Sequence, residues 1–385
     1  MNVGTFLSDN LSRAYRLLFQ GDRRQRARNF IVWRQHQATL RRLKRRREAR
    51  NARSRQNHEL LQRELREQRA VLASHPTTLC LDPASVCNLR CPFCPTGGGY
   101  GGFERALLSP ERFSRIMARL DLDLIERVEL YNWGEPLLNP HIVDYITCFS
   151  ERSAETEIST NFSQRDYEET FLAALVRSGL TTLIVSIDGA TQQTYERYRV
   201  RGNLERVLGN LRRLAAVKSE LASTTPLVLF KMLLHRHNQH EVEEARRIAA
   251  ECGAQFLLNE RFWCPDEEAA EWRATGAAEA AGEPAPVLGY TSLPQEVIST
   301  YCRQLWDSVF VTATGEVHPC CLTFEPQHAI GNLETQELAA VRNGPQAVYL
   351  RRLVIDPTTP PPEFANSCED CPSRWCVVRR PSATA

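Results

Sequence analysis

The chain has 385 residues, of which 42% are hydrophobic, and its formal net charge is +2. This length can bury a full core and accommodates two or more structural units. No apolar run of about 18 residues and no signal-peptide pattern is present, which excludes membrane-spanning and secretory classes. A cytoplasmic location is expected, where the 13 cysteines stay reduced and clustered thiols bind metal more often than they form disulfides.

The first 76 residues are predicted to form a helical, Arg-rich extension. Residues 5–19 show helical spacing of apolar side chains, and residues 23–69 contain good helix formers with neither glycine nor proline, which predicts one or two long helices. Residues 22–70 hold 17 Arg and Lys against five Asp and Glu. We interpret this face mainly as a solvated segment that caps the following domain; contact with an acidic peptide, an anionic membrane surface or nucleic acid is the alternative.

Residues 77–262 alternate between strand-like and helix-like segments, a pattern that predicts an α/β fold with a parallel sheet. The predicted strands are Leu79–Asp82, Val128–Trp133, Thr156–Asn161, Thr182–Asp188, Leu227–Leu234 and Phe256–Asn259. The predicted helices are Ser109–Leu120, Ile142–Arg152, Tyr167–Ser178, Gln192–Leu221 with a break at Gly202, and Val242–Glu251. Polar residues at the carboxyl ends of such strands are expected to meet at one functional edge.

Three thiols lie in one loop directly after the first predicted strand, at Cys87, Cys91 and Cys94. Three close cysteines beside a strand end suggest the ligands of a metal cluster. No fourth Cys or His follows nearby, so the set leaves one coordination position open, as a catalytic centre requires. The alternatives are a zinc knuckle or three unrelated core cysteines.

The segment Cys-x-x-x-Cys-x-aromatic-Cys, with Phe93 at the aromatic position, resembles the signature of the radical S-adenosylmethionine (radical SAM) enzymes. The resemblance implies a partial (β/α)6 barrel similar to a TIM barrel. It also implies that the three thiolates hold a [4Fe-4S] cluster whose open iron binds S-adenosylmethionine. In that family the reduced cluster cleaves the cofactor to a 5′-deoxyadenosyl radical, which abstracts a substrate hydrogen atom.

Three strand-end motifs are similar to further cofactor-binding motifs of this family. Their residues are Gly134 and Glu135 of Trp-Gly-Glu-Pro, Asn161 of Thr-Asn-Phe, and Ser186, Asp188 and Arg199 of the third motif. The resemblance implies that Glu135 belongs to the motif receiving the amino group of S-adenosylmethionine, and that the third motif contacts the ribose or the carboxylate. Trp133 and Phe162 depart from the family, which often has glycine at both positions.

The region 263–295 is rich in alanine, acidic residues and proline and is predicted to be a linker, and residues 296–385 form a second cysteine-rich domain. A hairpin is predicted from Asp307–Thr312 and Glu316–Cys320 around Gly315. The cysteine order resembles the SPASM and twitch domains and implies one auxiliary [4Fe-4S] cluster, bound by Cys302, Cys320, Cys368 and Cys371. Cys321 and Cys376 are too few for a second cluster; a zinc site is the alternative.

No catalytic residue emerges from the sequence. In the related anaerobic sulfatase maturases an Asp that serves as the base follows the cysteine equivalent to Cys320, but this chain has Cys321 there. His318 and Glu325 are candidate substitutes, and Cys264 and Cys321 are candidate hydrogen donors for an epimerase. A twitch relative that oxidises an aminocyclitol hydroxyl is similar in cysteine spacing.

These resemblances imply a radical SAM oxidoreductase that acts on a small polar metabolite, of the sugar or aminocyclitol type, with the auxiliary cluster accepting an electron. A flavodoxin or ferredoxin is the expected reducing partner. The alternatives are a maturase that forms thioether or carbon–carbon bonds in a ribosomal peptide, a sugar epimerase, and a metal-stabilised nucleic-acid-binding protein without catalysis.

Overall fold

The computed structural model describes residues 23–50, 52–259, 264–274, 301–356 and 358–360. The helix predicted over residues 5–19, most of the predicted linker, and Cys368, Cys371 and Cys376 lie outside the described residues. Among the described helices, none combines the length and the apolar character needed to cross a bilayer.

One nine-stranded sheet organises the chain, with the strand order β6-β5-β4-β3-β2-β1-β7-β8-β9. Strands β1 to β6 are parallel, and β7 lies parallel to the other edge of β1. The strands are β1 Thr78–Leu81, β2 Arg127–Glu129, β3 Glu155–Thr160, β4 Thr182–Ser186, β5 Leu227–Leu233, β6 Gln255–Asn259, β7 Ser308–Val311, β8 Glu316–His318 and β9 Gly331–Asn332.

All six predicted strands and all five predicted helical segments of the core are present, with shorter bounds at several ends. The described helices are α1 Arg23–Arg50, α2 Ala52–Arg66, α3 Pro95–Gly98, α4 Pro110–Met117, α5 Ile142–Ser150, α6 Glu169–Arg177, α7 Gln192–Tyr198, α8 Leu204–Glu220, α9 Val242–Glu251, α10 Ala269–Trp272, α11 Gln304–Asp307, α12 Leu338–Arg342 and α13 Pro345–Ile355. The predicted break at Gly202 is confirmed, and the Asn203 side chain caps α8 by accepting from the N–H of Arg206.

Alternation along the strands sorts the side chains onto two faces. One face carries apolar residues such as Leu79, Val128 and Ile158, which pack with the helices in the main core. The other face, which is the inner face of a partial (β/α)6 barrel, carries Cys80 and several charged residues. Strands β2, β3 and β4 end earlier than predicted, at Glu129, Thr160 and Ser186. The polar motifs therefore begin at or beyond these strand ends.

The N-terminal helices pack against the start of the barrel strands, in agreement with a capping segment. Val32 of α1 contacts an apolar cluster of the inner face, and buried Arg47 pairs with Glu126 at 3.2 Å. In α2, Leu61 packs with Trp306 of the C-terminal region, and the carboxylate of Glu64 accepts from the N–H of Ala73 at 2.7 Å. This extension is therefore part of the folded body.

The hairpin predicted in the C-terminal region is confirmed as β7 and β8, which pair in antiparallel register. Gly315 adopts a φ of 85° in its turn, a left-handed conformation that glycine adopts without strain. The parallel pairing of β7 with β1 was not predicted. It extends the barrel sheet directly into the cysteine-rich region.

Candidate functional site

Each thiol of the 87–94 loop contacts a residue of a different one of the three motifs that follow β2, β3 and β4. The Asn161 amide lies 3.7 Å from Cys87 Sγ, and Arg199 Nη1 lies 3.7 Å from Cys91 Sγ. Cys94 Sγ lies 3.8 Å from the carbonyl oxygen of Trp133. The structure thus gathers at one edge the loop and the three strand-end motifs that the sequence singled out.

Burial disfavours the charged form of two of these thiols, Cys87 and Cys91. Burial raises the pKa of Cys87 to about 12, with a smaller contribution from Glu135. Burial also raises the pKa of Cys91, while Arg199 opposes the shift. Thiolates at these positions need a bound cation to stabilise them, and iron supplies that charge.

The chemistry of this donor set fits an iron–sulfur cluster. Among the described residues, no three Cys, His, Asp or Glu side chains converge as the ligands of one metal ion. The cysteines of a cubane cluster bind different iron atoms, so they need not converge on one point. Three thiols in one loop, with amide and guanidinium donors behind them, fit an iron–sulfur cluster with one open iron.

Gly134 is required by a close approach of two loops. A Cβ atom built there would lie 1.4 Å from the carbonyl oxygen of Ala84. The loop beside it is held by Asp82, whose pKa burial raises to about 7, while hydrogen bonds from the N–H groups of the 132–134 backbone favour the charged form. Position 134 therefore accepts no side chain without movement of the backbone.

We expect Gly134→Ala to lower the free energy of unfolding by about 1 to 3 kcal/mol or more, as overpacking does. S-adenosylmethionine cleavage should fall with it, because the turn carries Trp133 and Glu135. Gly209→Ala in α8 is the matched control, since its Cβ meets nothing closer than 3.8 Å; it should stabilise by up to about 1 kcal/mol. Urea unfolding of both variants measures this, and equal effects would contradict the close approach.

The Glu135 carboxylate is directed into the protein. It is 2% exposed and accepts from the Thr160 hydroxyl at 2.5 Å and from the N–H groups of Asn161 at 2.7 Å and Leu137 at 3.1 Å. These bonds tie the second motif to the first. The Glu135 carboxylate is occupied by these donors. If this motif receives the cofactor's amino group, the backbone carbonyl groups of the motif and neighbouring residues are the expected acceptors.

Asp188 acts on the site through Arg199. It is fully buried, and its carboxylate pairs with Arg199 Nε at 2.5 Å and accepts from the N–H of Leu233 at 2.7 Å. Burial alone would lower the pKa of Arg199, but Asp188 and Cys91 outweigh it and raise that pKa. The carboxylate of Asp188 thus fixes the direction of Arg199, and a direct contact of Asp188 with the cofactor stays a prediction. Ser186 is also buried.

Phe162 occupies the position where the family often has glycine, and the backbone explains why the exchange is unusual. Its φ is 53°, in the left-handed region that glycine favours. The ring is fully buried and stacks on Tyr167, with ring centroids 5.0 Å apart. Core packing of the ring compensates for the strained conformation.

Phe93 lies in an aromatic cluster that the sequence did not reveal. Its ring meets Trp272 edge to face at 5.2 Å, and Tyr198 lies 6.3 Å away. Cys264 is buried in the same cluster. Residues 264–274 of the predicted linker thus pack beside the cysteine loop through Cys264 and Trp272. The alanine-rich composition hid this contact, and the linker bounds 263–295 stay a prediction.

The inner face below the cysteine loop carries a charged network, which sequence analysis missed. Arg127 lies 2.9 Å from Glu129, 3.3 Å from Glu157 and 3.9 Å from Glu155, and the Tyr131 hydroxyl donates to Glu157 at 2.7 Å. Burial alone would lower the pKa of Arg127, but the carboxylates outweigh it and raise that pKa. The alternation Arg-x-Glu-x-Tyr at 127–131 is the signal that could have identified this polar face.

The auxiliary region reaches the same mouth. Phe324 meets Trp133 edge to face at 5.4 Å and Tyr100 at 6.1 Å. Burial raises the pKa of Cys321, and the neighbouring Cys320 and Glu129 add to the shift. The loop after β8 therefore runs from the charged inner face to the aromatic rim beside the cysteine loop.

His318 is the buried histidine of this hairpin. It is 3% exposed, and burial lowers its pKa to about 4, while the nearby His328 adds to the shift and Glu325 opposes it. Cys302 and Cys320 are half-buried. The structure does not describe Cys368 and Cys371, so the four-cysteine set stays a prediction.

Two protein-family models match the sequence of this chain. A model described as the radical SAM superfamily matches residues 82–249, and a SPASM model, described as an iron–sulfur cluster-binding domain, matches residues 302–372. The chain belongs to the radical SAM superfamily. As a radical SAM enzyme it takes a [4Fe-4S] cluster and S-adenosylmethionine, and its SPASM domain adds auxiliary iron–sulfur binding.

Two known proteins illustrate the relationship of this radical SAM chain to others. A GTP 3′,8-cyclase of Microcystis aeruginosa is 23% identical over 265 residues, which are 61% of this chain and 78% of that protein. Streptococcus suis SuiB bound to S-adenosylmethionine is 14% identical, with a TM-score of 0.55 over 90% of this chain and 77% of that one. SuiB bound to the precursor peptide SuiA is 15% identical, with a TM-score of 0.55 over 77% and 71% of the two chains. The SuiB structures show a shared fold alone.

Proposed function

We propose that this chain is an oxidoreductase that abstracts hydrogen from a small polar metabolite, of the sugar or aminocyclitol type, at the inner face below the cysteine loop. One observation carries the proposal: the three loop thiols each contact a different one of the strand-end motifs, and the inner face of the same barrel carries the polar side chains of Arg127, Glu129, Tyr131 and Glu157. Such a face offers charged hydrogen-bonding groups to hydroxyl or amino groups of a substrate.

Cys87, Cys91 and Cys94 hold the cluster in this proposal, with the Asn161 amide and the Arg199 guanidinium beside two of the sulfurs. When bound, the clusters and S-adenosylmethionine supply a 5′-deoxyadenosyl radical at the mouth and an electron acceptor at the hairpin. Arg199 carries a fixed positive charge that suits the carboxylate of the cofactor. Phe93 and the rings around it keep water away from this side of the loop.

Oxidation of a hydroxyl-bearing carbon removes one hydrogen atom from carbon, one proton from oxygen and one electron. We assign this proton to Glu129, a carboxylate of the inner face that lies 2.9 Å from Arg127. Cys321 is held as a neutral thiol, which suits a hydrogen-atom donor better than a base and belongs to the epimerase alternative. Cys264 lies instead among the aromatic rings beside Phe93.

Anaerobic reconstitution of the full chain tests the proposal. We expect about seven to eight iron atoms per chain from two cubane clusters and dithionite-dependent release of 5′-deoxyadenosine. Incubation with deuterated sugars, amino sugars and cyclitols should then transfer deuterium into 5′-deoxyadenosine. Zinc in place of iron, or no cleavage of S-adenosylmethionine, would overturn the assignment.

A peptide-maturing activity is the second candidate, and the exposed basic face of α1 favours it. Arg41, Arg42, Arg45 and Arg46 are exposed and suit an acidic leader segment. Replacing the four by glutamine should abolish peptide binding if the chain matures a peptide, but leave turnover of a small metabolite unchanged. Substitution is preferable to deletion of the extension, because Leu61 and Glu64 belong to the folded body.

A further inference from the structure

His318 is a buried side chain whose polar atoms lack partners. It is 3% exposed, and within the part of the chain that the structure describes neither ring nitrogen makes a hydrogen bond. A neutral imidazole carries one N–H donor and one acceptor nitrogen, and leaving them unpaired in the interior costs free energy. Such a side chain indicates a partner that is not a described residue.

The neighbouring polar groups of the hairpin loop do not fill this role. Glu325 is engaged with His328, whose Nδ1 lies 3.1 Å from the carboxylate. In the strand register, His318 stands opposite Phe310 of β7, and Phe310 stands opposite Cys80 of β1. This row belongs to the inner face, which looks toward the site and away from the helical layer.

The sequence position of His318 points to the auxiliary cluster. Cys320, a predicted ligand of that cluster, follows two residues later in the bend after β8. The SPASM model begins at residue 302 and includes both residues. A cluster held by Cys320 would bring sulfur acceptors next to a buried imidazole donor.

We propose that His318 donates an N–H hydrogen bond to a sulfur of the auxiliary cluster and thereby raises the cluster's reduction potential. A donor at sulfur stabilises the reduced cluster, which carries more negative charge, and hydrogen bonds to sulfur are one of the factors that set such potentials. This inference rests on the proposed function, in which the auxiliary cluster accepts an electron. His318 is a tuning residue here and is not a ligand.

The test uses the full chain with Cys87, Cys91 and Cys94 replaced by alanine, so that only the auxiliary cluster remains. Midpoint potentials are measured by redox titration followed by electron paramagnetic resonance. His318→Leu should lower the potential by an amount equal to at least a tenfold change in the oxidised-to-reduced ratio, about 59 mV for one electron. His318→Gln, which keeps an N–H donor, should stay close to the parent protein.

His328→Leu is the matched control, a histidine of the same loop that is already paired with Glu325, and its potential should not change. An unchanged potential in His318→Leu, or iron loss in both His318 variants, would overturn the inference; iron loss would make His318 a ligand or a structural residue. If His318→Leu does not fold, a lowered potential in His318→Gln would overturn it, and a parent-like potential there would support it. Absence of iron in the parent triple variant would instead contradict the auxiliary cluster of the proposed function.

Discussion

Cys91→Ser is expected to abolish S-adenosylmethionine cleavage and to remove about four iron atoms per chain, the content of one cubane cluster. The serine hydroxyl cannot replace a soft thiolate at iron, and Cys91 is 5% exposed beside Arg199, so neither water nor another side chain can substitute. Mutating a residue that hydrogen-bonds a metal ligand typically lowers metal affinity or activity by about 10- to 100-fold. The loss of a ligand itself should lower them further. Iron analysis and anaerobic formation of 5′-deoxyadenosine measure both effects.

Cys148→Ser is the control for a general effect of losing a thiol. Cys148 is a half-buried cysteine of α5, next to Arg152 and outside both cysteine groups. Its variant should keep the full iron content and the wild-type rate of cleavage. If Cys91→Ser and Cys148→Ser behave alike, the 87–94 loop does not hold the catalytic cluster.

Asp188→Ala is expected to lower the free energy of unfolding by about 3 to 5 kcal/mol, the cost of removing one partner of a buried ion pair. It leaves the Arg199 guanidinium without its counter-charge and the N–H of Leu233 without its acceptor. The dissociation constant of S-adenosylmethionine should rise as well, because Arg199 loses the contact that fixes its direction. Urea unfolding and equilibrium binding measure the two effects.

Asp166→Ala provides the matched comparison at the surface. Asp166 also pairs with arginines, at 2.8 Å from Arg213 and 3.4 Å from Arg206, but its side chain is 64% exposed. Exposed pairs of this kind contribute little to stability because water screens their charges, so the free energy of unfolding should change far less than in Asp188→Ala. A similar loss of stability in the two variants would mean that Asp188 and Arg199 do not form a buried pair in solution.

Three features of the fold differ from the sequence-based predictions or were absent from them. Strand positions were predictable because apolar runs are local, but the sequence extended β2 to Trp133, whereas the strand ends at Glu129. Trp272 was hidden in a segment with the composition of a linker. The inner-face carboxylates were missed because a charged residue inside a barrel strand looks the same in sequence as one exposed to water.

Two features of the site can be recognised from the amino-acid sequence: the spacing of Cys87, Cys91 and Cys94 within one loop, and the order of polar motifs after successive strands. These are local features, set by a few neighbouring residues. The contacts among these features depend on the folded chain. Arg199 reaches Cys91 from 108 residues away, Asp188 is buried behind it, and β7 lies beside β1. Such contacts depend on packing between segments that are distant in sequence. Burial of Asp188 makes its ion pair with Arg199 a fixed part of the site.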